Sequence, residues 1–413
     1  MAFSQQLPQG VTDLYAHDYE LKQALTGQLQ HVLSSYGYQP IQTPTFEYYD
    51  LFMSVPGTMD SDQMIKLIDR DGKVLVLRPD ATVPIARMVA QSRSEVETYN
   101  KFLYVTNIFR MESGESDRSS RSFSQVGVEW FDDAHPLNDI EMIVMAIESL
   151  KQSGLRSIQL ELGQAGFFQS LLQEAGLTKE QQMVVQQKVD EKNEYELSRL
   201  LTQYQVDDQI KNQLIQIPNL FGSPNSVFAE AEKIAINRGM KQSLKRLKEL
   251  VNQLEQLGYE HYISIDLGLV NHLNYYTGTM FQGYIQGYGK PIIQGGRYDQ
   301  LTKHFDLETS AIGFGIYLDD LISIVKKQQS FETSQSEIVD VVTEEKDFVK
   351  AMEVARDLRE KGVVVNMHYE NDSNTGDQVI YLSENIVDIK GETFNFTTVE
   401  NFLMKAGFMN GNN

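Results

Sequence analysis

The segment from Asn107 to Asp132, NIFRMESGESDRSSRSFSQVGVEWFD, constrains the fold more than any other part of the chain. Arg110 and Glu112 alternate with apolar residues, a Ser- and Gly-rich loop follows, and Gln125 and Glu129 alternate in the next apolar run. This pattern predicts an antiparallel hairpin that presents Gln125 and Glu129 on one face. Inward-facing Arg, Gln and Glu side chains are costly without partners. The hairpin therefore predicts a polar ligand cavity, with a self-satisfied salt-bridge cluster as the alternative.

Helical and strand patterns alternate around this hairpin. Apolar residues recur at helical spacing over 18–35, and the Gly and two Pro residues of YGYQPIQTP then end the helix. The runs KVLVL (Lys73–Leu77) and Phe102–Val105 predict buried strands, Asp139–Ser149 an amphipathic helix and Ile158–Leu162 a half-buried strand. The first 160 residues therefore combine a sheet with packed helices.

The rest of the chain changes character twice. Residues from about 177 to 258 are almost entirely helical in pattern, and strands rich in Tyr, Phe and Ile return over 262–325. After the polar stretch QQSFETSQSE, a helical pattern over Asp347–Arg359 leads into the strand VVVNM. Since 413 residues exceed what one core usually serves, we predict a core domain over 1–325 with a helical insertion at about 177–258, and a small C-terminal α/β unit over 335–413.

Charge and cysteine content exclude several classes of function. The chain has 57 Asp and Glu against 36 Lys and Arg, a net charge of −21, and residues 331–413 carry 16 acidic against 7 basic side chains. This balance disfavours a nucleic-acid-binding surface. With Cys 0, disulfides, thiolate nucleophiles and cysteine metal sites are excluded, and the seven histidines show no metal-ligand spacing. No secretory start or apolar run of about 18 residues is present, so we expect a cytoplasmic protein without membrane contact.

Two further motifs carry polar residues next to predicted strands. In RPDATVP (Arg78–Pro84), an extended segment would point Asp80 and Thr82 the same way, where they could receive an ammonium group; a solvated strand end is the alternative. LVNHLNYYTG (Leu269–Gly278) and the later GGRY (Gly295–Tyr298) suggest a pocket that offers tyrosine hydroxyls to a small polar ligand. YLDDLI is better interpreted as a helix face than as a phosphate loop.

Together these motifs resemble the class II aminoacyl-tRNA synthetase core, and within it the histidyl-tRNA synthetase family. YQPIQTPTFEYYDLF resembles motif 1, which forms the dimer contact in that class, and IFRMES with RSFSQVGVEWF resembles motif 2, with Arg110 at the position of the ATP-contacting arginine. IQGGRYDQL and AIGFGIYLDDL resemble the lead-in and frame of motif 3. The resemblance implies an α+β fold, a class II aminoacyl-tRNA synthetase-like antiparallel sheet flanked by helices.

Two departures change the function that the resemblance implies. Synthetases have arginines in the histidine loop and at the end of motif 3, where this chain has Asn271 and Asp320. Loss of one preorganised donor commonly costs about a hundredfold to a thousandfold in rate. We expect Asp320 to repel a triphosphate further, and Tyr317, in place of a Gly, to intrude on the adenylate site.

This profile, with YYTGTMFQGY and IIQGGRYDQL, is similar to the ATP phosphoribosyltransferase regulatory subunit family. The resemblance implies a noncatalytic chain without a cofactor, which dimerises through motif 1 and joins a short-form catalytic subunit in a hetero-oligomer. It also implies histidine as the effector of the first step of histidine biosynthesis. A working histidyl-tRNA synthetase and a free-standing amino-acid sensor are the alternatives.

The resemblance also implies which residues surround a histidine-like ligand. These are Asp80, Thr82, Arg110, Arg121, Gln125, Glu129, Tyr275, Tyr276 and Tyr298. Carboxylates suit an α-ammonium group, and Glu129 with Tyr276 suits an imidazole. Arg110, Arg121 or a group of a partner protein would take the ligand's carboxylate.

Overall fold

A computed structural model describes residues 6–55, 58–91, 100–111, 120–132, 134–269, 276–328, 338–369, 378–382 and 385–406. The chain divides into two compact units, Met1–Glu332 and Thr333–Asn413.

The described part of the first unit contains eleven α-helices and twelve strands, together with short 3-10 turns. The helices are α1 (Ala16–Ser35), α2 (Tyr49–Met53), α3 (Thr82–Gln91), α4 (Pro136–Gln152), α5 (Ala165–Glu174), α6 (Lys179–Asp190), α7 (Glu194–Gln203), α8 (Asp208–Gln216), α9 (Pro224–Ile234), α10 (Arg238–Gln256) and α11 (Leu318–Gln328). The strands are β1 (Gln39–Ile41), β2 (Phe46–Tyr48), β3 (Lys66–Ile68), β4 (Val74–Leu77), β5 (Lys101–Phe109), β6 (Ser122–Asp132), β7 (Ile158–Gln164), β8 (Phe221–Gly222), β9 (Ile263–Asp266), β10 (Thr279–Ile285), β11 (Ile293–Arg297) and β12 (Ser310–Tyr317).

Nine of these strands form one sheet, in the order β1-β5-β6-β12-β11-β10-β7-β9-β8. All neighbouring pairs are antiparallel except β1 with β5 and β7 with β9. The predicted hairpin is β5 and β6, in which Phe102 lies opposite Glu129 and Thr106 opposite Gln125. Strands distant in sequence, β6 and β12, therefore lie side by side at the centre of the sheet.

Helices cover one face of this sheet because their apolar side chains recur once per turn. In α1, Leu21, Leu25, Leu29 and Leu33 follow at intervals of four and all are buried. Each buried leucine contributes about 1.5–3 kcal/mol relative to exposure. They join the inward side chains of α4, α10 and α11 in one large core against that face.

The strands β2, β4 and β3 form a separate three-stranded antiparallel sheet. The prediction that KVLVL is a buried strand is wrong in its burial. Only Val76 is buried, Leu75 and Leu77 are half-buried, and Val74 is exposed. An apolar run indicates a strand, but it does not show that both faces of the strand are covered.

The described part of the second unit forms a five-stranded sheet with two α-helices. Its elements are β13 (Ile338–Thr343), α12 (Phe348–Glu360), β14 (Val364–Tyr369), β15 (Gln378–Tyr381), β16 (Ile386–Ile389), β17 (Glu392–Asn395) and α13 (Val399–Lys405). The strand order is β14-β13-β15-β16-β17, with parallel pairing around β13 and antiparallel pairing beyond β15. Leu358 of α12 and Phe402 of α13 are buried in one core with side chains from one face of this sheet. No helix in the described ranges of either unit is long and apolar enough to span a membrane.

Candidate functional site

A polar pocket opens on the sheet face that α1 and α4 leave uncovered, across β5, β6, β12 and β11. The lining consists of residues from these four strands, from the start of α3, and from the chain next to the ends of β5, β10 and β11. The lining residues are Asp80, Thr82, Tyr104, Arg110, Gln125, Glu129, Tyr276, Gln294, Tyr298, Gly313, Phe314, Gly315 and Tyr317. Its free volume is about 40 Å³, room for a few water-sized groups.

Glycines make up the floor of the pocket. Glu129 lies over Gly313 of the neighbouring strand, Gln125 lies over Gly315, and a β-carbon at either glycine would collide with the side chain above it. Because the register pairs Gly313 with Glu129, these residues meet directly across β6 and β12. The alternation in AIGFGIY thus clears space for the polar residues of β6.

Glu129 is the centre of the pocket and is only 1% exposed. Thr82 Oγ1 donates a hydrogen bond to its Oε1 at 2.6 Å, and the Tyr298 hydroxyl donates to its Oε2. Burial raises the pKa of Glu129 to about 8, with a further rise from Asp80, although the bonds from Thr82 and Tyr298 act in the opposite direction. At neutral pH the carboxyl is largely protonated, so a ligand that supplies a donor or a positive charge would favour its ionisation.

Asp80 lies beside Glu129 but not in the conformation predicted from sequence. The expectation of an extended RPDATVP segment is wrong, because Thr82 begins α3 and Asp80 precedes that helix. The Asp80 carboxylate accepts the backbone N–H of Val83 at 2.9 Å, as a residue at a helix start commonly does. Burial raises its pKa, while its backbone hydrogen bonds and Arg110 lower it. An acidic residue followed by Pro84 in the first turn was the signal for a helix start.

Arg110 brings a positive charge to the pocket. Its Nε donates to the carbonyl of Pro79 at 2.9 Å, and its guanidinium carbon lies 5.5 Å from the centre of the Phe123 ring. Arg121 does not line the pocket; its backbone N–H donates to Gly10, and its buried Nε has no hydrogen-bond partner within the described residues. The structure therefore brings together only one of the two predicted arginines with the carboxylates.

Two tyrosines close the pocket. Tyr298 packs edge-on against Phe131, with ring centres 6.3 Å apart. The ring of Tyr276 lies against the α-carbon side of Gly296, and its carbonyl accepts from the Gln169 side chain at 3.3 Å. Tyr275, like Glu112 and residues 270–274 with Asn271, lies outside the described residues.

The arginine of the GGRY motif supports the frame of the pocket without lining it. Arg297 Nε donates to Asp139 Oδ1 of α4 at 3.0 Å, and the Arg297 carbonyl accepts the backbone N–H of Thr277 at 2.8 Å. The ion pair with Asp139 holds Arg297 in place, and the hydrogen bond from Thr277 attaches the segment after Tyr276 to Arg297.

Tyr317, Tyr104 and Gln294 also line the pocket, and of these sequence reasoning anticipated only Tyr317. Gln294 accepts the Tyr317 hydroxyl at 2.7 Å. Gln294 lies on β11, which reaches β6 only through β12 in the strand order of the sheet. Tyr104 lies on β5, the hairpin partner of β6, opposite Gly127. Period-two alternation in FLYV and IIQGGRY was the available signal.

Asp320 lies outside this lining. Its carboxylate accepts the Tyr288 hydroxyl at 2.6 Å, while the neighbouring Asp319 accepts the backbone N–H of Ser124 at 2.7 Å. The expectation that Asp320 repels a triphosphate stays a prediction. Within the described ranges, no group of three or more His, Asp and Glu side chains could hold a metal ion.

Comparison with known proteins gives a consistent family. A model of the histidyl-tRNA synthetase family matches residues 10–321. The ATP phosphoribosyltransferase regulatory subunit of Oceanobacillus iheyensis is 37% identical over 311 residues, 75% of this chain and 76% of the relative. That of Ruminiclostridium cellulolyticum is 32% identical over 412 residues, 96% of this chain and 97% of the relative.

Solved structures have the same fold. A Bacillus halodurans C protein described as an ATP phosphoribosyltransferase regulatory subunit/histidyl-tRNA synthetase superposes with a TM-score of 0.79 at 29% identity, covering 91% of this chain and 96% of that one. Histidyl-tRNA synthetase from Nostoc sp. PCC 7120 superposes with a TM-score of 0.76 at 20% identity, covering 98% and 100%. The second similarity concerns the fold alone.

Proposed function

Because this chain belongs to the family of ATP phosphoribosyltransferase regulatory subunits, which is built on the histidyl-tRNA synthetase fold, we propose that it binds and activates the short catalytic subunit of that enzyme and makes it sensitive to histidine. The chain is a regulatory subunit in histidine biosynthesis and not the catalyst itself.

The pocket around Glu129 carries the proposal of a histidine effector. Asp80 offers a carboxylate to the α-ammonium group, Glu129 with Tyr276 offers partners to the imidazole, and Arg110 is the cation for the ligand's carboxylate. Arg121, the other arginine considered from the sequence, is not in the lining. The free volume is about 40 Å³, so the proposal includes some movement of the lining side chains when an amino acid binds.

A self-dimer is proposed through the small sheet whose first strand, β2, lies within the segment that resembles motif 1. Phe46, Tyr48 and Leu67 are 54%, 53% and 38% exposed, and the strand pairing places them on one face with Leu75 and Leu77. Such a contiguous exposed apolar face marks an interaction surface. A second copy of the chain is the occupant that the resemblance of this region to motif 1 favours.

The histidine site is tested by Glu129→Gln in the complex of this chain with the catalytic subunit. Loss of a charged hydrogen-bond partner costs about 1.5–3 kcal/mol, so we expect the histidine concentration for half-inhibition to rise at least about tenfold. Glu161→Gln is the matched control, because burial also raises the pKa of the Glu161 carboxyl. Glu161 pairs with Gln282, and Gln282 pairs with Gln294, so Glu161 lies on the same sheet face as the pocket but outside its lining. Unchanged inhibition in both variants would place the effector elsewhere.

A further inference from the structure

Tyr317 fills one end of the pocket with an aromatic ring. It is the last residue of β12 and shares the pocket side of that strand with Gly313 and Gly315. Its side chain is almost fully buried, at 6% exposure, and its hydroxyl is held by Gln294. A bulky residue therefore follows two positions where the same strand has no side chain.

The ring of Tyr317 packs against Phe123 of β6. Their ring centres are 5.5 Å apart, and the Arg110 guanidinium lies 5.5 Å from the centre of the same Phe123 ring. The three planar groups form a contiguous set in which Phe123 contacts both others. A buried aromatic ring beside an arginine is the arrangement that holds a planar heterocycle carrying an anionic group.

Tyr317 thus occupies the position next to Phe123 that such a ligand would need. The remaining pocket, around Glu129 and Gln125, is polar and narrow. It offers hydrogen-bond partners for a small molecule, whereas Phe123 is the ring that contacts both Tyr317 and the Arg110 guanidinium.

We propose that Tyr317 is the specificity-determining residue of the pocket, which excludes nucleotides and restricts the ligand to the size of an amino acid. The inference rests on the proposed function for the ligand itself, since ATP is a substrate of the enzyme that this chain regulates. An effector pocket open to nucleotides would be occupied by that substrate instead of the inhibitor.

Equilibrium binding of ATP and of adenosine to the full-length chain tests the inference. We expect no saturable binding to the wild type, and a gain in affinity of about tenfold or more for both probes in Tyr317→Ala, as base stacking on an aromatic ring provides. Tyr317→Phe keeps the ring and should still exclude both probes. Tyr284→Ala is the matched control, because Tyr284 donates to Gln282 at the same 2.7 Å distance but lies outside the pocket lining.

A folded Tyr317→Ala chain that gains no affinity for either probe would overturn the inference. So would ATP that binds the wild type in competition with histidine, a result that does not depend on how any variant folds. Histidine titrations of the same proteins separate the two proposals. If no protein binds histidine while Tyr317→Ala gains ATP and adenosine, the effector assignment fails and the role of Tyr317 stands.

Discussion

At the scale of single residues, the pocket depends on a carboxyl that folding keeps from ionising. Glu129 has an ordinary pKa of 4.5, which burial raises to about 8. The folded chain therefore retains a proton that the unfolded chain releases. The stability that this proton contributes is fully present below pH 4.5 and is lost as the pH rises through 8.

Stability measured against pH checks this protonation. Between pH 6 and 8, the free energy of unfolding of the wild type should fall relative to Glu129→Gln, by at most about 1.4 kcal/mol per pH unit. Asp80, whose pKa burial also raises, is present in both proteins and contributes little to the difference. Chemical denaturation of both proteins across this range gives the comparison. Parallel stability curves would show that Glu129 is already ionised in the folded chain.

The glycine floor leads to a second prediction at this scale. A β-carbon at Gly313 would collide with the Glu129 carboxyl, so Gly313→Ala should lower the free energy of unfolding by about 1–3 kcal/mol, as overpacking does. Gly27 in α1 has no atom within 4 Å of the position of a β-carbon. Gly27→Ala should therefore stabilise the chain by about 0.5–1 kcal/mol. Equal effects of the two substitutions in thermal unfolding would contradict this account.

At the scale of elements, local patterns predicted the parts of the fold that depend on local order. The leucines of α1 and the alternation in β5 and β6 identify a helix and a hairpin without knowledge of distant residues. The grouping of Glu129 with Gly313 and Gln294 could not be predicted in this way, because it depends on β12 lying between β6 and β11. The burial of Val74 was predicted wrongly because a strand's own residues do not specify what covers it.

The exposed apolar face of β2, β3 and β4 is the proposed self-contact of the chain. Phe46→Glu combined with Tyr48→Glu should convert a dimer of the chain into a monomer, because two charges in an apolar interface are costly. Ile68→Glu is the control, since Ile68 is 81% exposed but lies on the opposite face of the same sheet. Sedimentation velocity distinguishes the outcomes. A doubly substituted chain that remains dimeric would place the self-contact on another surface.

At the scale of the whole molecule, the chain has the histidyl-tRNA synthetase fold and a polar pocket. The resemblance places Asn271 and Asp320 where the catalytic family has arginines. Asn271 lies outside the described residues, and Asp320 lies outside the pocket lining. We propose that the chain acts by binding one state of the catalytic subunit more tightly than another. Under this proposal, histidine inhibits by reversing that preference.

Formation of phosphoribosyl-ATP by the short catalytic subunit, with and without this chain, tests the regulatory role most directly. An allosteric coupling of about 1–3 kcal/mol changes activity several-fold to about a hundredfold. We expect the catalytic subunit to be nearly inactive alone. Addition of the chain should raise its rate several-fold to about a hundredfold, and histidine should then lower the rate again. Equal rates with and without the chain would contradict the account.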